Sequence, residues 1–215
     1  MEETDNQNVK KGFWNKYAGI TILLVLIVAF FLSFILLNNN PATPSNGGEE
    51  EINYNGVVFE KKNDLWNLRV RANEQNQIVN FMFHYNPEMV EDISVNGDVK
   101  GYVESKDMLY LTTQKDIGSI PVIGMSNIGR VTGTKNKIFN KHVVGALTEP
   151  AENSSKSIPI IDCNNATSTT GVMWFKMGNT TSVNLEGNCI IVEGEKRWDV
   201  VRASDRLAFE LLNIM

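Results

Sequence analysis

Gln77-Ile78-Val79-Asn80-Phe81-Met82-Phe83-His84-Tyr85 decides how the larger part of this chain folds. Val79, Phe81, Phe83 and Tyr85 fall on one side of an extended backbone, and Ile78, Asn80, Met82 and His84 on the other. Period-two alternation among aromatic and β-branched residues predicts a strand with one buried face. Upstream, Leu65 to Ala72 alternates in the same way, with Leu65, Asn67 and Arg69 on one face, and Gly56 to Lys61 reads as another strand. Asn63-Asp64 and Glu74 to Asn76 supply turn residues between them. The product is a three-stranded antiparallel meander.

Downstream, Asn86-Pro87-Glu88 opens a short helix that stops near Ile93: a capping Asn, Pro at the first position, then an acid. Asn96-Gly97-Asp98 is a turn. Strands follow at Met108 to Thr113, His142 to Leu147, Ile158 to Cys163, Gly171 to Met177 and Ser182 to Val192, the last bent at Gly187. A helix is expected from about Ile120 to Val131. Its glycines fit close helix packing better than a phosphate-cradling loop, because Gly133-Thr134-Lys135 has the wrong order for one. A last helix runs from about Arg197 to Ile214, with Val200, Ser204, Leu207, Ala208 and Leu211 as its apolar stripe. Phe209 lies off that stripe, so the helix should be covered on more than one side. Strands followed by interleaved helices and strands give an α+β domain, with a mixed α/β arrangement as the variant. The C-terminal helix is expected to pack on a sheet.

The whole chain, 215 residues with 42% hydrophobic and 21% charged, looks average only because two compositions are mixed in it. From Tyr17 to Gly48 there is no charge, and Ala18 to Leu37 is apolar except for Gly19, Thr21 and Ser33. Twenty helical residues span about 30 Å, the thickness of a bilayer core, which predicts a transmembrane helix over 17–37. Phe13, Trp14 and Tyr17 stand where rings favour the headgroup interface. Lys10, Lys11 and Lys16 precede the span, and no basic residue follows it before Lys61. The positive-inside rule then puts residues 1–16 in the cytoplasm as a tail. Residues 38–51, rich in Asn, Pro, Ser, Gly and Glu, read as a flexible tether, and 52–215 as one domain outside the cell membrane. A signal anchor is preferred over a cleaved signal peptide because the apolar run is long and no small-x-small site follows. Lys10-Lys11-Gly12-Phe13 resembles a prepilin processing site, but Asn15 and Lys16 interrupt the helix that should follow directly. The net charge of -5 points away from nucleic acid as a partner.

Cys163 and Cys189 both fall outside on this topology, where pairing is preferred over two buried free thiols. A Cys₂His₂ zinc site with His84 and His142 would need all four residues to converge by tertiary folding, since none has ligand spacing. No Gly-x-Ser-x-Gly elbow or local nucleophile–base pair is present, so no catalytic, cofactor or metal residue is assigned. Asp162 and Asp205 are available to a site only in the sense that any strand-end Asp is. Asn153, Asn165 and Asn179 begin glycosylation sequons at about the frequency chance predicts, and are permitted sites only.

Asp64-Leu65-Trp66, the run Phe83 to Ile93 (Phe-His-Tyr-Asn-Pro-Glu-Met-Val-Glu-Asp-Ile), Asp205-Arg206-Leu207 and terminal Ile214-Met215 resemble uncharacterised small single-span membrane proteins of archaea. Asn213 stands where that pattern expects Gly. The resemblance implies an extracytoplasmic α+β domain and brings no assigned activity. The expected function is therefore a single-pass, membrane-anchored binding or scaffolding domain. The expected partners are the bilayer through 17–37 and an unidentified protein or envelope component. The alternatives are an anchored envelope enzyme with a site gathered from distant segments, and a pilin-like subunit.

Overall fold

Ten strands and three helices build the domain in a computed structural model that describes residues 50–72, 77–151 and 158–215. The expected cytoplasmic tail, membrane helix and nearly all of the tether lie outside the described residues. Among the described residues no helix is long and apolar enough to cross a membrane.

The meander is present and has one strand more than expected. β1 (Glu51–Tyr54), β2 (Val57–Lys62), β3 (Leu65–Ala72) and β4 (Gln77–Phe83) form an antiparallel sheet in sequential order. β1 begins at Glu51, the last residue of the expected tether, and pairs Glu51 with Glu60 and Tyr54 with Val57. The Asn63-Asp64 turn holds both residues at positive φ, which Asn and Asp tolerate better than most side chains. The alternation places Phe59, Trp66, Leu68, Val79, Phe81 and Phe83 on one buried face. Ile78 and Met82 remain exposed on the other.

The second sheet is mixed. Its strands are β5 (Ser94–Asn96), β6 (Met108–Thr113), β7 (His142–Leu147), β8 (Thr170–Met177), β9 (Ser182–Glu186) and β10 (Cys189–Gly194), in the order β5-β9-β10-β8-β6-β7. β10, β8, β6 and β7 run parallel, while β9 opposes β10 and lies parallel to β5. The runs Val172-Met173-Trp174-Phe175 and Cys189-Ile190-Ile191-Val192 are apolar on both faces, as strands covered from both sides require.

Three helices stand beside these sheets: α1 (Val99–Glu104), α2 (Ser119–Thr132) and α3 (Arg197–Leu211). Every residue of the expected stripe on α3 is buried, and so is Phe209. Phe209 meets Phe83 at 4.8 Å and Phe59 at 5.5 Å between ring centroids, both edge to face. The other side of α3 meets β10, where a Cβ on Gly194 would strike the Val200 backbone. α3 therefore lies between the two sheets, and one continuous core joins them. α2 packs closely on α3 at Gly124, where a Cβ would collide with the Ser204 side chain. The expected role of that glycine is borne out.

Three sequence expectations need correction. Ser182 to Val192 is not one bent strand. Gly187, at φ 58°, and Asn188 form a two-residue hairpin turn, so β9 and β10 run antiparallel. Ile158 to Cys163 is not a strand beyond an isolated parallel bridge between Leu147 and Ile160. Pro159 has no N–H to donate, and Asp162 turns the chain into a 3-10 turn at Cys163–Asn165. The helix after Asn86 is a 3-10 turn of four residues, Pro87–Val90, capped as expected by Asn86 Oδ1 accepting from Met89 N at 3.0 Å.

Candidate functional site

The face of the mixed sheet turned away from α2 and α3 is covered differently. Val172, Cys189 and Ile191 are buried there beneath Ile161, Cys163 and Ala166, with Tyr110 and Trp174 packed beside them. This cover is a loop, and three kinds of bond fix it. Leu147 N donates to Pro159 O (3.0 Å) and Ile161 N to Leu147 O (2.8 Å), so the loop adds itself to the edge of β7. Thr112 Oγ1 donates to Ile161 O at 2.7 Å. Cys163 and Cys189 form a disulfide across a 26-residue separation, with Cα atoms 5.3 Å apart. The expected pairing is present, and it takes both thiols out of consideration as metal ligands.

The turn at the disulfide is rigid for a local reason. Asp162 Oδ1 accepts from Asn164 N at 2.8 Å, and Asn165 Oδ1 accepts from Asp162 N at 2.8 Å, a reciprocal cap. Asn165, first residue of a sequon, is thus exposed with its carbonyl oxygen engaged in the cap. Asn179 is exposed in the loop after β8, and Asn153 lies outside the described residues.

A cleft of about 440 Å³ opens between this turn and the carboxyl ends of β6 and β7. Gln114 follows β6, Thr148 and Glu149 follow β7, Asp162, Cys163 and Asn164 come from the turn, and Trp174 comes from β8. From β6 the chain passes through α2 to β7 on one side, whereas β8 leads to β9 and β10 on the other. Parallel sheets hold ligands outside the strand carboxyl ends, at the point where successive connections diverge in this way. The volume falls in the range of small-molecule sites.

Among the described residues the lining carries two carboxylates, two amides, a hydroxyl and an indole, and no cation. Such a set accepts hydrogen bonds from hydroxyl or ammonium donors and offers an aromatic surface. The Trp174 indole N–H is covered and unpartnered among the described residues. Lys176 Nζ lies 5.4 Å from that ring's centroid and pairs with Glu193 at 2.8 Å. This lysine, together with the Thr180 and Asn179 N–H groups, holds the Glu193 carboxyl below its ordinary value against the effect of burial.

The other singled-out residues lie elsewhere. The His84 ring sits 5.3 Å from that of Trp198, with Nδ1 buried and unpartnered among the described residues. Burial pushes its pKa down. His142 is exposed at the start of β7. Asp205 is fully buried in α3 and accepts hydrogen bonds from two backbone N–H groups and Asn127. Among the described residues no three metal-ligating side chains cluster. Of the cleft residues, the sequence alone singles out Asp162 and Cys163. Gln114, Thr148 and Glu149 carry one usable signal, since each stands within two residues of a predicted strand end. Comparison with protein-family models, curated proteins and solved structures gives no match to this chain.

Proposed function

We propose that the chain is a single-pass membrane protein with a cytoplasmic N-terminus, whose extracytoplasmic domain binds an envelope component or partner protein through the cleft beside β6, β7 and β8. The observation that carries this reading is the cleft itself: a concavity at the strand carboxyl ends, walled by a turn that a disulfide pins to β10. A pinned wall reduces the ordering cost of binding. The disulfide supports an oxidising compartment, and the uncharged run 17–37 with lysines only on its N-terminal flank supports the orientation. On this reading the likeness to small single-span archaeal proteins is one of shared design.

Two measurements test it. A cysteine at the exposed position 179 (Asn179→Cys) is expected to react with a membrane-impermeant maleimide on intact cells; reaction only after lysis would reverse the orientation. A photo-crosslinking residue at Gln114 is expected to give a reproducible adduct in intact cells, and one at Val58, exposed on the other sheet, is not. Absence of any adduct from Gln114 would count against the cleft.

A further inference from the structure

A second concavity, of about 390 Å³, opens near the amino ends of the parallel strands. Its apolar wall contains Val70, Phe139 and Leu212, none of them fully buried. Its charged wall contains, among the described residues, Arg71, Lys100 and Lys141, against the carboxylate of Glu104. Lys100 Nζ donates to Asn213 Oδ1 at 2.9 Å and lies 3.8 Å from Glu104. Lys141 Nζ donates to the Glu104 carbonyl at 2.8 Å. Arg71 is exposed, with no ion pair among the described residues.

These bonds account for where the two lysines stand: each closes a chain end or loop with a neutral acceptor. They do not cancel the charge. Among the described residues, three cations facing one carboxylate leave a local positive excess in a chain whose net charge is -5. A positive excess beside apolar side chains complements a ligand that is anionic at one end and apolar along the rest. The site is concave, which suits one inserted chain rather than the plane of a bilayer.

We propose that this groove binds a single-chain carboxylate amphiphile, its carboxylate against Arg71, Lys100 and Lys141 and its alkyl chain along Val70, Phe139 and Leu212. The assignment is independent of the cleft and of the side of the membrane on which the domain lies.

The test uses the full chain in lipid nanodiscs with a dodecanoate carrying a mid-chain diazirine, and adducts mapped by peptide mass spectrometry. Adducts are expected within 138–141 and 211–213, displaced by excess dodecanoate and not by inorganic phosphate or a hexaglutamate peptide. Arg71→Glu, at an exposed position that leaves the fold's internal bonds in place, is expected to lower labelling about tenfold, as loss of one charge-assisted contact does. Lys100→Glu should do the same. The proposal fails if adducts are confined to residues 18–37, if a dodecylammonium probe of equal length labels the groove as well, or if Arg71→Glu changes nothing. Displacement by phosphate or hexaglutamate as effective as that by dodecanoate would overturn it too, replacing the amphiphile with a simple anion or an acidic peptide.

Discussion

Asp205 Oδ2 accepts a hydrogen bond from the backbone N–H of His84 at 3.0 Å, joining α3 to a residue 121 positions earlier. The same oxygen accepts from Tyr85 N at 3.1 Å, and Oδ1 accepts from Asn127 Nδ2, on α2, at 3.2 Å. One carboxylate therefore ties both central helices to the end of β4. Burial pushes its pKa up to about 7, with the three hydrogen bonds acting the other way.

The folded-state value of Asp205 lies above the ordinary carboxyl value of 3.8 that the unfolded chain keeps. Between these two values the folded domain binds more protons than the unfolded chain, so stability falls as pH rises through the window. Its contribution is complete below about pH 4 and lost by about pH 7, and amounts to a few kcal/mol. His84 acts oppositely, because its lowered pKa adds stability that is lost as pH falls through the folded value. The Asp205 share is therefore the difference between wild type and Asp205→Asn in urea unfolding at pH 5 and pH 8. Asp205→Asn is expected to remove that slope, with the Asn127 amide turning to present its oxygen. Asp205→Ala leaves the His84 and Tyr85 N–H groups and the Asn127 amide without this acceptor and should cost about 2–4 kcal/mol at pH 5 and less at pH 8, where the wild type has itself lost the Asp205 contribution.

Reduction of the Cys163–Cys189 bond releases the loop from β10. On the chain-entropy account a loop of this length contributes roughly 3–4 kcal/mol. Cys163→Ser with Cys189→Ser is expected to lower the urea midpoint accordingly, and added reductant should then have no further effect. Thiol labelling of the unreduced, unfolded wild type should give no adduct; an adduct would mean the bond is absent in the protein as made.

Gly124→Ala places a methyl group against Ser204, whose hydroxyl donates to Val200 O at 2.7 Å. Overpacking of this kind costs about 1–3 kcal/mol. Combining it with Ser204→Gly should recover part of the loss, and the coupling in a double-mutant cycle measures the contact between α2 and α3. Additive effects would show that the two helices do not meet there.

Phe209→Ala empties a site shared by Phe59 and Phe83. The cost expected from a large buried ring is about 3–5 kcal/mol. Phe209→Leu should cost less, and both should increase hydrogen exchange in β2 and β4, which the ring holds against α3.

What could be read beforehand divides along the range of the forces involved. The alternation at Val79, Phe81 and Phe83 was legible because a strand's two faces are set by neighbours in sequence. The spacing on α3 was legible for the same reason, and Phe209 off the stripe already indicated a second covered side. α1 carries no legible pattern even though its capping residue, Asp98, whose Oδ1 accepts from Gly101 N at 2.8 Å, is the last residue of the predicted turn. Six residues give too little periodicity to register. Strands β1 and β5 are short, and each is defined by a partner rather than by its own pattern. The cleft was invisible because Gln114, Glu149, Asp162 and Trp174 come from four separate segments, and only the order of strands in the sheet brings them together.

The central position of α3 bears on how the chain is made. All ten strands precede it in the sequence, yet each sheet turns its buried face toward it. A ribosome that has released both sheets and α2 but not residues 197–211 has produced a core that lacks Val200, Ala203, Leu207, Ala208, Phe209 and Leu211. The domain therefore completes its core only when α3 arrives.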